Sequence, residues 1–167
     1  VIEKTASEEK LVHLKKEPVK NYVIIAVTAL GAVIGTNLLI TLSGITEADE
    51  TYQATSQMQY SSVIWLGILC YGVLAPIAEE LLFRGIIYNC IRRFTKFKIA
   101  MLLSAVIFSI YHSSSSQSLY AFVMGFVMAY AYEYFGSIYV PLGIHIGANV
   151  LVYVMTRAGI NETSFVS

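Results

Sequence analysis

Long apolar stretches separated by short polar ones dominate the pattern along this chain. Residues 21–46 contain no charged side chain. About 20 apolar helical residues cross the ~30 Å hydrocarbon core of a bilayer, so this stretch predicts a transmembrane helix. Four more apolar stretches follow, at residues 61–92, 99–112, 119–135 and 140–156. The pattern therefore predicts an all-α, multi-pass transmembrane helical bundle of five to six helices.

The polar stretches predict the boundaries and the orientation of this bundle. Residues 1–20 carry nine charges, five of them lysine, and form a polar N-terminal tail ahead of a helical domain at 21–156. The acidic residues 45–60 predict a loop or an interfacial segment, residues 113–118 a polar turn, and residues 157–167 a C-terminal tail. Lys and Arg are enriched in cytoplasmic segments, so the tail and the basic 92–98 loop are predicted to lie in the cytoplasm.

Composition and charge narrow the class of protein. The chain is 56% hydrophobic and 13% charged, whereas soluble domains are about 25% charged. This composition indicates a protein of the cell membrane. Its net charge is zero and it has no basic run with interleaved aromatics, which argues against nucleic-acid binding. Because the first residue is Val rather than Met, we expect a processed or truncated N-terminus with room for upstream helices.

The two cysteines are predicted to be unpaired. Cys70 and Cys90 lie on one predicted helix, where about 30 Å of helical rise separates them. A disulfide requires Cα atoms about 4.4–6.8 Å apart. We therefore expect that they do not pair with each other and that both are small, buried hydrophobic residues.

Charged side chains inside the 61–92 stretch are the most informative feature. A charge at the centre of a membrane helix costs about 2.5–3.5 kcal/mol on insertion scales. Glu79, Glu80 and Arg84 nevertheless fall within six residues. Glu80 and Arg84 have the i, i+4 spacing of a helical ion pair. Glu79 is then about 100° round the helix, free to face other helices.

Polar groups in the later helices are predicted to meet Glu79. Counted from the basic side of the bundle at 1.5 Å per residue, Glu79, His112 and Asn149 lie ~20 Å deep and His145 ~14 Å. His145 and Asn149 also share a helical face, since they are one turn apart. The sequence therefore predicts one buried polar site built from three helices.

This set of groups suits hydrolysis. A carboxylate beside an imidazole, here Glu79 and His112, can hold and deprotonate a water. A second imidazole and an amide, His145 and Asn149, can donate hydrogen bonds to a developing oxyanion, each such donor being worth about 3–4 kcal/mol. The prediction is a hydrolytic site that requires neither a metal nor another cofactor.

Three motifs then follow one another along the chain: Glu79-Glu80-x-x-x-Arg84, Phe108-x-x-x-His112 and His145-x-x-x-Asn149. In this order, inside apolar helices, they resemble the motifs of the CAAX prenyl protease and bacteriocin-processing family, also called the Abi family. The resemblance covers residues 61–155, including the stretch GFVMAYAYEYFGSIYVPLGIHIGANV before and through the third motif.

The resemblance implies a glutamate-type intramembrane endopeptidase. In such an enzyme Glu79 and His112 would activate the hydrolytic water. His145 and Asn149 would form the oxyanion hole, with Glu80, Arg84 and Phe108 in supporting positions. The implied substrate is a peptide or protein in the bilayer, with or without a lipid, cut near its C-terminus or leader.

Three other functions remain open at this stage. In a zinc-dependent membrane hydrolase Glu79, His112 and His145 could be ligands, although the chain has no HExxH and Asn149 would have no role. A non-catalytic regulatory or immunity scaffold could use the same fold. A proton-coupled transporter would also bury Glu and His, but no inverted repeat is evident in the sequence.

Overall fold

The computed structural model describes residues 17–160, which form seven helices and no strand. The all-α prediction is confirmed. The helices are α1 Val19–Leu42, α2 Ile45–Ala48, α3 Glu50–Ser61, α4 Ile64–Phe94, α5 Phe97–Tyr111, α6 Ser115–Phe135 and α7 Tyr139–Arg157. Helix α1 begins two residues earlier than the predicted tail boundary. Most of the two predicted tails lies outside the described residues.

Three of the described helices are long and apolar enough to cross a bilayer: α1, α4 and α7. The other two predicted crossings differ from a full span for separate reasons. Helix α5 has only 15 residues. Helix α6 has 21 residues, but it begins with Ser-Ser-Gln-Ser and contains four tyrosines, which lower its hydropathy.

Two polar stretches are more helical than predicted. Residues 45–60, expected to be a loop or an interfacial segment, form α2 and α3, in which no side chain is fully buried. Helix α6 starts inside the predicted 113–118 turn because the Ser114 hydroxyl accepts a hydrogen bond from the Gln117 N–H (3.1 Å). A serine in this N-cap position satisfies one of the free N–H groups of a first turn.

Helix α4 is continuous through Pro76 but changes its winding along its length. Two stretches, Ile68–Leu74 and Leu81–Tyr88, are π-helical and flank an α-helical turn at Ala75–Glu80. Such wide turns in otherwise regular helices are frequent at functional sites. Cys70 and Cys90, both on this helix, do not pair with each other, as predicted, but the expectation that both are buried is wrong: Cys70 is half-buried and Cys90 is exposed.

Close packing of α4, α5 and α6 forms the core beneath the polar site. The cluster includes Phe83 from α4, Phe108 from α5 and Met124 from α6, each at most 2% exposed. Gly125 allows α6 to approach α5, since a Cβ there would lie 3.0 Å from the Phe108 ring and 3.3 Å from the Ala105 Cα. This approach brings the Gly125 carbonyl within reach of α4.

Candidate active site

A cavity of about 320 Å³ lies at the end of the bundle that α2 and α3 cover, opposite the basic 92–98 turn. Five residues of the three sequence motifs line it: Glu79, Phe108, His112, His145 and Asn149. The remaining two motif residues, Glu80 and Arg84, are fully buried. The structure thus brings side chains from α4, α7 and the end of α5 to one chamber.

The His145 ring stands between two carboxylates. Its Nδ1 lies 2.8 Å from Glu80 Oε1, and its Nε2 lies 3.5 Å from Glu79 Oε2. The Glu79 side chain keeps 19% of its surface exposed, whereas that of Glu80 has none. Glu79 is therefore the carboxylate that a water or a substrate in the cavity can reach.

Arg84 neutralises Glu80, the fully buried one of these two carboxylates. Its Nη1 donates to Glu80 Oε1 at 2.7 Å, so the ion pair predicted from the i, i+4 spacing is confirmed. The Nη2 donates to the Gly125 carbonyl (3.0 Å), and the guanidinium carbon lies 4.9 Å from the centre of the Phe108 ring. Glu80 thereby holds Arg84 and His145 with the same oxygen, which fixes the imidazole against α4.

His112 follows the last residue of α5 and points its ring at the cavity. Its Nδ1 lies 2.8 Å from the Phe108 carbonyl oxygen. A carbonyl can only accept, so Nδ1 carries a proton and Nε2 of the neutral ring has a free lone pair. Within residues 17–160 no direct hydrogen bond joins His112 to Glu79; the two face each other through the cavity.

Asn149 is held by a backbone group of α4. Its Nδ2 donates to the Tyr71 carbonyl oxygen at 3.1 Å. Because that oxygen can only accept, the contact fixes which side of the amide faces α4. One N–H of Asn149 is thus occupied, and the second remains for a group in the cavity.

The side of the cavity opposite the motif residues is polar and was missed by sequence reasoning. These roof residues come from α1, α2 and α3: Asn37, Thr41, Thr46, Tyr52, Thr55 and Gln59. They belong to no motif, and most lie in the segment expected to be a loop or interfacial. Only the packing of α3 over the bundle identifies them.

One carboxylate anchors this roof to the bundle. Asp49 Oδ1 accepts from the Tyr52 N–H (2.9 Å) and caps α3, while Oδ2 accepts from the Ser116 N–H (2.9 Å) at the start of α6. These hydrogen bonds, that from Ser116 first, hold the pKa of Asp49 below its ordinary value. The ionised carboxylate therefore ties α3 to α6.

Replacing Asp49 by Asn is expected to loosen α3 at all pH values, because an amide has one acceptor oxygen for two N–H donors. In the parent, a lowered pKa means that the tie is complete above the ordinary pKa of about 3.9 and is lost as the pH falls through the lower folded-state value. A fluorophore on Thr55→Cys, with Cys70 and Cys90 replaced by Ala, reports roof opening through iodide quenching.

In the parent, quenching should stay constant from pH 8 to pH 5 and increase only on stronger acidification. The Asp49→Asn protein should already be quenched at pH 7. Glu47→Gln is the matched control, since this neighbouring carboxylate is exposed and its side chain makes no hydrogen bond within residues 17–160. Equal quenching of parent and Asp49→Asn at pH 7 would contradict the anchoring role.

No three His, Cys, Asp or Glu side chains of residues 17–160 are grouped so that they could hold one metal ion. In the Glu79–His145–Glu80 contact described above, Glu80 is already paired with Arg84.

Known proteins share the part of the chain that builds this site. Residues 61–151 match the family described as type II CAAX prenyl endopeptidase, Rce1-like. The chain is 34% identical over 112 residues to "Putative membrane peptidase YdiL" of Bacillus subtilis (strain 168), covering 67% of this chain and 45% of that protein. It is 31% identical over 106 residues to "UPF0177 protein YxdF" of Lactococcus lactis subsp. lactis (strain IL1403), covering 60% and 58%.

The chain therefore spans about half the length of these curated relatives. No solved structure gives a significant match. The family match covers more than half of the chain and includes all three motifs, and the apolar helices agree with a membrane protein. The chain belongs to the Rce1-like family of type II CAAX prenyl endopeptidases.

Proposed function

We propose that this protein is an intramembrane endopeptidase in which Glu79 is the general base. One observation carries the proposal. The Glu79 carboxylate lies 3.5 Å from the His145 imidazole, in a half-enclosed cavity that His112 and Asn149 also line. A general base acts at a heavy-atom distance of about 2.6–3.2 Å from the group whose proton it takes, and such contacts are often longer in a free enzyme.

In the first step, Glu79 and His112 bind and activate one water molecule. The water occupies the cavity between the Glu79 carboxylate and the free Nε2 lone pair of His112. Glu79 removes a proton as the water oxygen attacks the carbonyl carbon of the substrate. The C–O bond forms, the carbonyl π electrons move to oxygen, and a tetrahedral oxyanion results.

The oxyanion then needs donors that are already in place. Asn149 offers the N–H that Tyr71 leaves free. His145 offers Nε2–H whenever both of its nitrogens are protonated, since Nδ1–H is held by Glu80. Collapse of the intermediate breaks the C–N bond, and Glu79 returns its proton to the leaving amine. Donors fixed before the reaction cost no reorganisation during it.

The polar side chains of the roof favour the proposal that the substrate is a peptide bound in extended form. A peptide in a nonpolar environment must have its N–H and C=O groups hydrogen-bonded, and hydroxyl and amide side chains of α1 to α3 surround the cavity. We infer a membrane-associated peptide or protein, lipidated or not, cut near its C-terminus or its leader. With the basic segments in the cytoplasm, the cavity opens toward the opposite side of the membrane.

Released peptides provide the direct test. Membranes from cells that make the parent or the Glu79→Gln protein at equal abundance are compared by mass spectrometry. Peptides that appear only with the parent, each from a membrane-associated precursor, are the expected result and would name the substrate. Full cellular function of the Glu79→Gln protein at normal abundance would instead favour the non-catalytic scaffold.

Chelation separates the proposed mechanism from a zinc hydrolase. Because Glu79 and the imidazoles suffice to activate the water, purified protein treated with excess of a strong chelator should keep its full kcat. The measurement is cleavage of an identified substrate before and after chelation and dialysis. Loss of activity that returns with zinc would replace this mechanism by a metal-dependent one.

A further inference from the structure

The carbonyl that holds Asn149 belongs to an unusual position in α4. Tyr71 lies in the π-helical stretch Ile68–Leu74, where hydrogen bonds run from N–H to the carbonyl five residues back. Accordingly, the Ala75 N–H bonds to Cys70 O rather than to Tyr71 O. The Ala75 N–H, which would donate to the Tyr71 carbonyl in a regular α-helix, is thus already bonded to the carbonyl of Cys70.

The donor five residues ahead is missing as well. In the π register the Tyr71 carbonyl would accept from residue 76, which is proline and has no N–H. Neither register therefore provides the Tyr71 oxygen with a partner from its own helix. An unsatisfied carbonyl inside a bilayer is costly, and Asn149 of α7 supplies the missing hydrogen bond at 3.1 Å.

We propose that Pro76 is a positioning residue, which keeps the Tyr71 carbonyl available so that it orients the Asn149 amide toward the cavity. The inference rests on the proposed role of Asn149 in the oxyanion hole. Pro76 is itself fully buried and is absent from the cavity lining. It therefore acts only through the backbone of α4.

Pro76→Ala supplies the missing N–H, which can then compete with Asn149 for the Tyr71 oxygen. We expect kcat to fall about 10- to 100-fold at unchanged KM, because a displaced oxyanion donor affects the transition state and not substrate binding. The thermal stability should be no lower than in the parent, since a proline is removed from the interior of a helix. A fall in activity without a fall in stability distinguishes positioning from a structural role.

A double-mutant cycle tests whether the effect of Pro76 on catalysis passes through Asn149. If Pro76 acts through Asn149, Pro76→Ala should change kcat less than about twofold when added to Asn149→Ala. Pro141→Ala is the matched control, because Pro141 is equally buried but lies in the first turn of α7, where an N–H has no helical acceptor. Multiplicative effects of Pro76→Ala and Asn149→Ala, or an unfolded Pro76→Ala protein, would overturn the inference.

Side-chain amide NMR gives a reading that needs no catalysis. The chain has five asparagines, so ¹⁵N-Asn labelling yields few NH₂ signals, and Asn149→Ala assigns the relevant pair. Pro76→Ala should shift that pair and Pro141→Ala should not. Shifted signals without any parent activity would refute the peptidase proposal alone. An active parent whose Asn149 signals stay unchanged in Pro76→Ala would refute the role of Pro76 alone.

Discussion

Replacement of Glu79 by Gln is expected to lower kcat by about 10²–10⁴-fold, the usual contribution of a general base. Gln has nearly the same shape but cannot take a proton from water. The His145 Nε2 contact, 3.5 Å in the parent, can still be made to the amide oxygen. KM and thermal stability should therefore change little, and steady-state kinetics with thermal unfolding in detergent measure all three quantities.

Glu47→Gln serves as the matched control for this experiment. It makes the same chemical change on an exposed residue of α2 that does not line the cavity, and its kcat should equal that of the parent. If Glu79→Gln keeps more than about a tenth of the parent kcat, the loss is smaller than the range expected for a general base. Another group would then have to activate the water.

Replacement of Arg84 by Met should have the largest effect on stability. Arg84 and Glu80 are both 0% exposed, and removing one partner of a buried ion pair costs about 3–5 kcal/mol because the other charge is left uncompensated. The Gly125 carbonyl also loses its donor. Unfolding followed in detergent by denaturant titration should show this loss, together with loss of activity as Glu80 no longer fixes His145.

The double replacement Glu80→Gln with Arg84→Met separates stability from positioning. Removing both charges should restore most of the lost stability, since buried pairs often contribute little net stability. Activity should remain low, because His145 no longer has its carboxylate partner. Arg92→Met is the control: its pair with Glu133 keeps 15% and 17% exposure, so the loss of stability should be smaller than for the fully buried pair.

Equal destabilisation by Arg84→Met and Arg92→Met would show that burial of the inner pair has no energetic consequence. Full activity of the double variant would show that His145 does not depend on Glu80. Either result would contradict the structural role assigned to the Glu80–Arg84 ion pair beneath the cavity.

Features set by local spacing could be predicted from the sequence. The Glu80–Arg84 ion pair follows from four residues on one helix, which places the two side chains together in any fold that keeps the helix. The free cysteines follow from helical rise alone. Apolar length predicted α1, α4 and α7 to within a few residues, since the bilayer sets the length that a helix needs.

Contacts between helices could be predicted only in part. Depth along the bundle indicated that Glu79, His112, His145 and Asn149 would lie at similar heights, but rise per residue does not fix rotation about each helix axis. The contact of His145 with Glu80 at 2.8 Å therefore came from the packing of α7 on α4. The sequence also predicted α5 and α6 as crossings, although α5 has only 15 residues and α6 begins with four polar residues and contains four tyrosines.

By itself, the sequence determined that this chain is an all-α membrane protein, which residues carry its motifs, and that Glu80 would pair with Arg84. These follow from composition, helical period and the cost of charge in lipid. The tertiary structure decided that α3 covers the cavity, that Asp49 ties it to α6, and that a backbone oxygen of Tyr71 holds Asn149. Such contacts join groups distant in the chain, and which backbone oxygen is left free depends on the helical register as well as on the sequence, so the sequence pattern alone does not reveal them.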